Sequence, residues 1–158
     1  ILYNQLSFPN TCFVHRDYHV QNLIKHRKKI GVIDSQDAVV GNPAYDLVSL
    51  IDDARIRTSN KLKKKVYNYY IKKNPKITEE NANNFLNDFN ILSVQRSLKI
   101  IGIFSRLAIR DKKKNYLKFI PYVWKLLESR IKNKNLLDLK KLFDKNIKKE
   151  FRKKIEFK

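Results

Sequence analysis

Methionine is absent from all 158 residues, cysteine occurs once, at Cys12, and glycine occurs only at Gly31, Gly41 and Gly102. With no initiator residue at position 1 or later, the chain is expected to be a piece of a longer polypeptide. A single thiol cannot form an internal disulfide. Three glycines far apart exclude a glycine-rich phosphate loop, which needs several within one short turn. There is no run of 18 or more apolar residues to cross a bilayer or serve in export, so the expected location is cytoplasmic, with no membrane partner. Acidic residues are also scarce: 15 against 35 Lys and Arg leave a formal net charge of +20. Such an excess could attract nucleic acid, acidic lipid or a phosphorylated ligand. The lysines are nevertheless spread over positions 61–65, 112–114, 132–141 and 148–158, interleaved with Asn and Ile. That spread suits a solvated surface better than a dedicated basic arm. Neither an RNP-like aromatic pattern nor paired Cys and His supports specific nucleic-acid recognition.

What is present divides into a short strand-bearing front and a helical remainder. Cys12–Val14 and Ile30–Ile33 read as buried strands flanking a polar loop, with a basic turn at 25–29 between them. An irregular stretch from Ser35 leads to Asn42-Pro43, an N-cap followed by proline at the first helical position. Leu47, Val48, Leu50, Ile51 and Ala54 then fall on one helical face. Leu62, Val66 and Tyr69 mark a second helix that Asn74-Pro75 should stop. Thr78 is expected to cap a long third helix, with Glu79 and Glu80 in its first turn and Gly102 marking a break or a close contact. A further helix over 116–131, bent at Pro121, precedes a last one striped by Leu139, Leu142, Phe143 and Ile147. The expected fold class is α+β and mainly helical, with residues 132–158 a basic terminal helix or a frayed tail.

The stretch His15-Arg16-Asp17-Tyr18-His19-Val20-Gln21-Asn22 fits the pattern H-R-D-x-x-x-x-N at every fixed position. Phosphoryl transfer asks a protein chiefly to position groups and neutralise charge. A carboxylate at Asp17 can accept the proton of an attacking hydroxyl. The amide oxygen of Asn22 can bind a metal ion without adding negative charge near the phosphates. Asp34, at the end of the Ile30–Ile33 run, supplies a carboxylate for magnesium, which takes few protein ligands and completes its octahedron with phosphate oxygens and water. The alternative is that Asp17 and Asn22 merely satisfy backbone groups in a turn. Strands on both sides and the placement of Asp34 weigh against it.

These residues also carry a resemblance. The segments Phe13–His19, Ile33–Ala38 and Tyr45–Leu50 resemble the aminoglycoside phosphotransferase superfamily, and within it the anomeric kinases of N-acetylmuramate and N-acetylglucosamine. Gln95–Leu107, Arg110-Asp111 and Tyr116-Leu117 are similar to later helices of those sugar kinases, so the resemblance covers roughly residues 10–130. It implies that residues 1–158 form the C-terminal lobe of a protein-kinase-like fold. Asp17 would be the base, Asn22 and Asp34 the magnesium ligands, and Asp46 a buried anchor of the catalytic loop. His15, Arg16 and His19 would support the loop, His19 through a side-chain to backbone hydrogen bond. Gln36 and Asp37 are candidates for touching substrate or metal, or for stabilising their loop. Arg96, Arg106 and Arg110 are candidates for an anionic substituent of the sugar, or are solvated and capping residues. ATP is the implied phosphate donor and Mg2+ the implied cofactor.

Two positions depart from the family pattern. Ser35 stands where an aromatic residue is expected, and Val20-Gln21 replaces a small-plus-basic pair. Neither removes a group needed for transfer, but both loosen the substrate assignment. An aminoglycoside, choline or homoserine acceptor is the runner-up, and a non-catalytic basic binding module is the alternative of another class. The strand lysine of a nucleotide clamp is missing along with the glycine-rich loop. The N-terminal lobe is therefore expected to lie outside this chain, which alone should be inactive and expose apolar surface.

Overall fold

The computed structural model describes residues 2–153, which fall into two compact units, Ile1–Leu92 and Ser93–Lys158. In the first unit, strands β1 (Cys12–Val14), β2 (Leu23–His26), β3 (Lys29–Val32) and β4 (Val39–Gly41) precede helices α1 (Ala44–Ile51) and α2 (Asn60–Lys73). The long helix α3 (Ala82–Ile109) begins in the first unit and continues into the second. The second unit adds α4 (Ile120–Arg130), α5 (Leu137–Asn146) and α6 (Lys149–Lys153). The fold is thus α+β and mainly helical.

The strands form two separate antiparallel pairs. β1 lies against β4, with Cys12 opposite Gly41, Phe13 opposite Val40 and Val14 opposite Val39. A Cβ on Gly41 would lie 3.0 Å from Val14 Cγ2, so a larger residue there requires the Val14 side chain to give by a few tenths of an ångström. β2 and β3 form a hairpin, Leu23 opposite Val32 through His26 opposite Lys29, turned at Arg27 with φ 51°. The strand expected at Ile30–Ile33 exists as Lys29–Val32, but it is not buried: Ile30 is 58% and Val32 46% exposed. In β1, Phe13 is 72% exposed and only Val14 is buried. The apolar runs dictate extended backbone, whereas burial depends on a covering layer that neither ladder has within the first unit. The stretch after Asp34 also contains β4, because pairing with β1 organises backbone that looks irregular in isolation.

Ala44, Leu47, Val48 and Ile51 of α1 pack with Ile77 and with Phe85, Phe89 and Leu92 of α3. Phe85 is fully buried, meeting Phe8 edge-on at 5.4 Å and stacking on Tyr70 at 5.8 Å. Burial of such rings contributes roughly 1.5–3 kcal/mol each, with a further ~0.5–1.5 for favourable ring pairs. In α2, Leu62 and Tyr69 point outward at 49% and 64% exposure, while Val66, Tyr67, Tyr70 and Ile71 pack on the core. Lys63, on the same inward side, is buried as an ion pair with Asp52 at 2.7 Å and is not part of the solvated lysine surface.

Beneath α1 lies a polar knot. Asp88 is fully buried, and its carboxylate accepts from Ser7 N (2.8 Å), Phe8 N (2.9 Å) and Asn42 Nδ2 (2.8 Å). Asn42 in turn accepts from Ala44 N at 2.9 Å, capping α1 as the Asn-Pro pair predicts. α2 starts at a Ser59 cap that was not singled out from the sequence, and ends at Asn74, as predicted.

α3 starts later than expected. Thr78 donates its N–H to the Asn81 side chain, and Phe85 N–H donates to Asn81 O, so the residues around Glu79 and Glu80 form a separate turn ahead of the helix. Gly102 lies within continuous helix, and nothing would meet a Cβ there within 4 Å, so it marks neither a break nor a close contact. Pro121 does not bend a helix: a 3-10 turn over Lys114–Phe119 leads into α4, and Pro121 sits in the first turn, where its missing N–H costs nothing.

In the second unit Leu127, Val123, Ile120 and Leu136 are almost wholly buried. The expected last helix is two helices, α5 and α6, tied by the buried Arg152. Its guanidinium donates to Phe143 O, Ile147 O and Asp144 Oδ1, pairs with Glu128, and lies 5.5 Å from the Trp124 ring. The end of the tail expected to fray, residues 154–158, lies outside the described residues.

Candidate active site

The loop between β1 and β2 is held from below by one carboxylate. Asp46, in the first turn of α1, accepts from His15 N at 2.6 Å through Oδ2 and from Arg16 N at 3.1 Å through Oδ1. Two successive N–H groups can converge on one side chain because Arg16 adopts φ 72°, a left-handed conformation that costs a non-glycine residue about 1–3 kcal/mol. Bonds to an ionised acceptor, each worth roughly 1.5–3 kcal/mol, offset that cost. Asp46 is half-buried. His15 is buried, and its Nε2–H donates to Ile33 O at 2.8 Å. That bond joins the loop to the segment carrying Asp34, as does Ile33 N–H to Asn22 O at 3.1 Å. Arg16 Nη1 reaches Asp37 O at 3.2 Å.

These ties bring Asn22 and Asp34 together. Asn22 Nδ2 donates to Asp17 O at 3.0 Å and lies 3.3 Å from Asp34 Oδ2. Its amide is thereby oriented, and Asn22 Oδ1 accepts no bond among the described residues. Asp34 is exposed at φ 69°, and its Oδ1 accepts from Gln36 Nε2 at 2.7 Å. Asp17 is half-buried at the start of the loop's turn, and His19 is buried nearby in sequence with its own N–H on Asp17 O at 2.9 Å. Among the described residues no three His, Cys, Asp or Glu side chains gather as a metal cage. The contact between Asn22 and Asp34 is a hydrogen bond from the amide nitrogen to the carboxylate, which leaves Asn22 Oδ1 on the other arm of the amide.

The three arginines singled out in the sequence all belong to the second unit. Arg96 is buried, Arg106 is exposed, and Arg110 forks onto Asp111 at 2.6 and 3.2 Å. Bonding to Arg110 holds the Asp111 carboxyl below the usual carboxylate range. Several supporting groups escape sequence reasoning. The Asp88 knot and the Lys63–Asp52 pair join positions far apart in the chain, and no local pattern marks them. Tyr70 is another: it donates to Pro43 O at 2.9 Å, fixing the start of α1 against α2, and burial pushes its phenol above the ordinary value.

Residues 5–78 match the phosphotransferase enzyme family. Over that stretch the chain belongs to this family. Relatives that carry the name N-acetylmuramate/N-acetylglucosamine kinase include the following three. The protein of Caulobacter vibrioides is 35% identical over 142 residues, 87% of this chain and 38% of the relative. That of Pseudomonas aeruginosa is 36% identical over 126 residues, 75% of this chain and 36% of the relative. The Neisseria meningitidis protein is 40% identical over 112 residues, 69% and 34% respectively. The chain therefore spans little more than a third of the length of these relatives. Its fold, a polar loop between short strands followed by helices, is that of the C-terminal lobe of the kinase-like phosphotransferases. No described helix is long and apolar enough to cross a membrane.

Proposed function

We propose that this chain is the catalytic C-terminal lobe, over residues 1–158, of a cytoplasmic kinase that uses ATP and magnesium to phosphorylate the anomeric hydroxyl of an amino sugar. N-acetylmuramate is the first choice of acceptor and N-acetylglucosamine the second, with a role in recycling cell-wall sugars. The single observation that carries the reading is the convergence of Asn22 on Asp34 from a loop whose backbone Asp46 holds. The kinase names of relatives at 35–40% identity support the acceptor class. The remaining two thirds of those relatives would include the lobe that covers the nucleotide, and this chain without such a lobe is inactive.

In this reading Asp17 accepts the proton of the anomeric hydroxyl as its oxygen attacks the terminal phosphorus in line. The bond from that phosphorus to the bridging oxygen breaks, and the nucleoside diphosphate leaves. An anomeric hydroxyl is more acidic than an ordinary alcohol, so a carboxylate suffices as base. Asn22 Oδ1 and Asp34 would hold magnesium, which when bound neutralises charge on the phosphates. His15 and Asp46 keep the loop in register, and Gln36 orients Asp34. Arg96, Arg106, Arg110 and Asp37 remain candidates for substrate contact. Residues 132–158 would be a basic terminal element without catalytic duty.

The test is turnover in the polypeptide joined to its nucleotide-binding lobe. Asp17→Asn should lower turnover by ~100 to 10,000-fold while leaving folding intact. Phosphorus NMR should place the new phosphate on the anomeric carbon. Near-normal turnover in the variant removes Asp17 as base, and phosphate on another ring hydroxyl, or preference for an aminoglycoside, removes the amino-sugar assignment.

A further inference from the structure

The two oxygens of Asp34 are not held alike. Oδ1 accepts from Gln36 Nε2 at 2.7 Å, the short separation of a hydrogen bond whose acceptor is ionised. Oδ2 meets Asn22 Nδ2 at 3.3 Å, longer than an ordinary bond of this kind. Asn22 Nδ2 has a closer partner in Asp17 O at 3.0 Å, so the amide stays oriented if its contact with Asp34 gives way. On a side chain that solvent reaches, one oxygen is therefore firmly engaged and the other only loosely.

The backbone fixes where Gln36 stands. Ala38 N–H donates to Ser35 O at 3.1 Å, closing a turn whose two central residues are Gln36 and Asp37. Arg16 Nη1 donates to Asp37 O at 3.2 Å and fastens that turn to the loop carrying Asp17 and Asn22. The glutamine amide is thus presented to Asp34 from a tied turn. Cations differ in what they ask of such a carboxylate. Calcium takes about six to eight oxygens in flexible geometry and accepts both oxygens of one carboxylate. Magnesium demands near-ideal octahedral geometry. Two oxygens on one carbon lie too close together to fill neighbouring corners of a small octahedron, so magnesium takes only one.

We propose that Gln36 is a positioning residue that sets cation specificity: by holding Oδ1 it leaves Asp34 a single oxygen, Oδ2, to offer with Asn22 Oδ1, and so disfavours calcium relative to magnesium. The assignment rests on the metal reading above. Glutamine does this without adding charge. A carboxylate at position 36 would repel Asp34, free Oδ1 and bring further oxygens, all of which favour calcium.

The experiment uses this chain, with manganese as the probe and magnesium or calcium added to displace it. Manganese-induced broadening of the Asn22 side-chain amide signals in NMR reports occupancy without any turnover. In the parent, magnesium should displace manganese at lower concentration than calcium does. Gln36→Met keeps the length of the side chain and removes the donor, and it should shift the magnesium-to-calcium ratio toward calcium by about tenfold, the low end of what a bond to a charged group is worth. Gln36→Glu should shift it further, while Ser35→Ala, in the same turn, should keep the parental ratio. Gln36 is exposed, and unchanged ring shifts of the Tyr70–Phe85 stack verify that its variants are folded. A parental ratio in either Gln36 variant, an equal shift in Ser35→Ala, or a calcium preference already in the parent overturns the proposal and leaves Asn22 and Asp34 as ligands. Manganese that fails to broaden the Asn22 signals in the parent overturns the metal reading, and the proposal with it.

Discussion

Under α1, Asp88 is wholly out of water and its carboxylate accepts three N–H bonds, whereas after β3 Asp34 stands in solvent with two side-chain amides beside it. The chemical group is the same in both places. Burial without donors would be prohibitive for an ionised carboxylate, so Asp88 has its oxygens saturated by protein. Asp34 keeps its oxygens accessible, which is what a ligand for a cation requires. The second unit repeats the first pattern with the opposite sign: Arg152 is 5% exposed, and carbonyls and carboxylates surround its guanidinium. Buried charged groups such as Asp88 and Arg152 are surrounded by protein partners, whereas the candidate ligand Asp34 stays open to solvent.

The largest effect expected from this contrast is on folding. Asp88→Ala should lower the unfolding free energy by about 3 kcal/mol, because buried donors at Phe8 and Asn42 lose their acceptor. Asp34→Ala should stay within ~0.5 kcal/mol of the parent, as surface substitutions usually do. Urea unfolding of the two variants side by side measures both, and equal losses would break the distinction.

Cation binding sharpens the contrast from the other side. Manganese affinity, measured by titration calorimetry, should fall on the order of a hundredfold in Asp34→Ala, which removes a charge as well as an oxygen. Asn22→Ala should lose less, since it removes only a neutral oxygen, and Asp88→Asn should leave the affinity unchanged. An Asp34→Ala variant with the parent's affinity would remove Asp34 from the proposed metal ligands.

The smallest effect concerns acid. Asp144 is held below the usual carboxylate range, first by its bond to Lys140 and then by Arg152. A carboxylate depressed in the folded state contributes stability that is present above its unfolded pKa, about 3.9, and is lost as pH falls through the lower folded value. Stability measured from pH 6 down to pH 2 should therefore decline less steeply in Asp144→Asn than in the parent. Identical acid limbs would show that the exposed pair contributes nothing measurable.

Much of this molecule was legible in local sequence. The H-R-D loop and its Asn22 announce themselves by spacing, and Asn42-Pro43 and Asn74-Pro75 mark helix ends, since capping involves groups within about four residues. Where a local rule met a competing local partner, the reading slipped: Asn81 takes the capping position expected for Thr78, and Pro121 opens α4 instead of bending a helix. The run Ile30–Ile33, expected to be a buried strand, is exposed because an apolar run specifies extended backbone, not what covers it.

Residue types and short spacings by themselves determined the helical character and the H-R-D-x-x-x-x-N pattern of His15–Asn22, and marked Asn22 and Asp34 as candidates. Only the tertiary structure decided that β1 pairs with β4 while β2 pairs with β3, that Lys63 leaves the charged surface to meet Asp52, and that Asp88 binds Ser7 from 81 positions away. The physical reason is the range of the forces that choose. Helix and turn preferences are settled between near neighbours in the chain. The partner of a strand or a buried charge is settled by which distant group arrives with unsatisfied hydrogen bonds, and that is known only once the chain has closed.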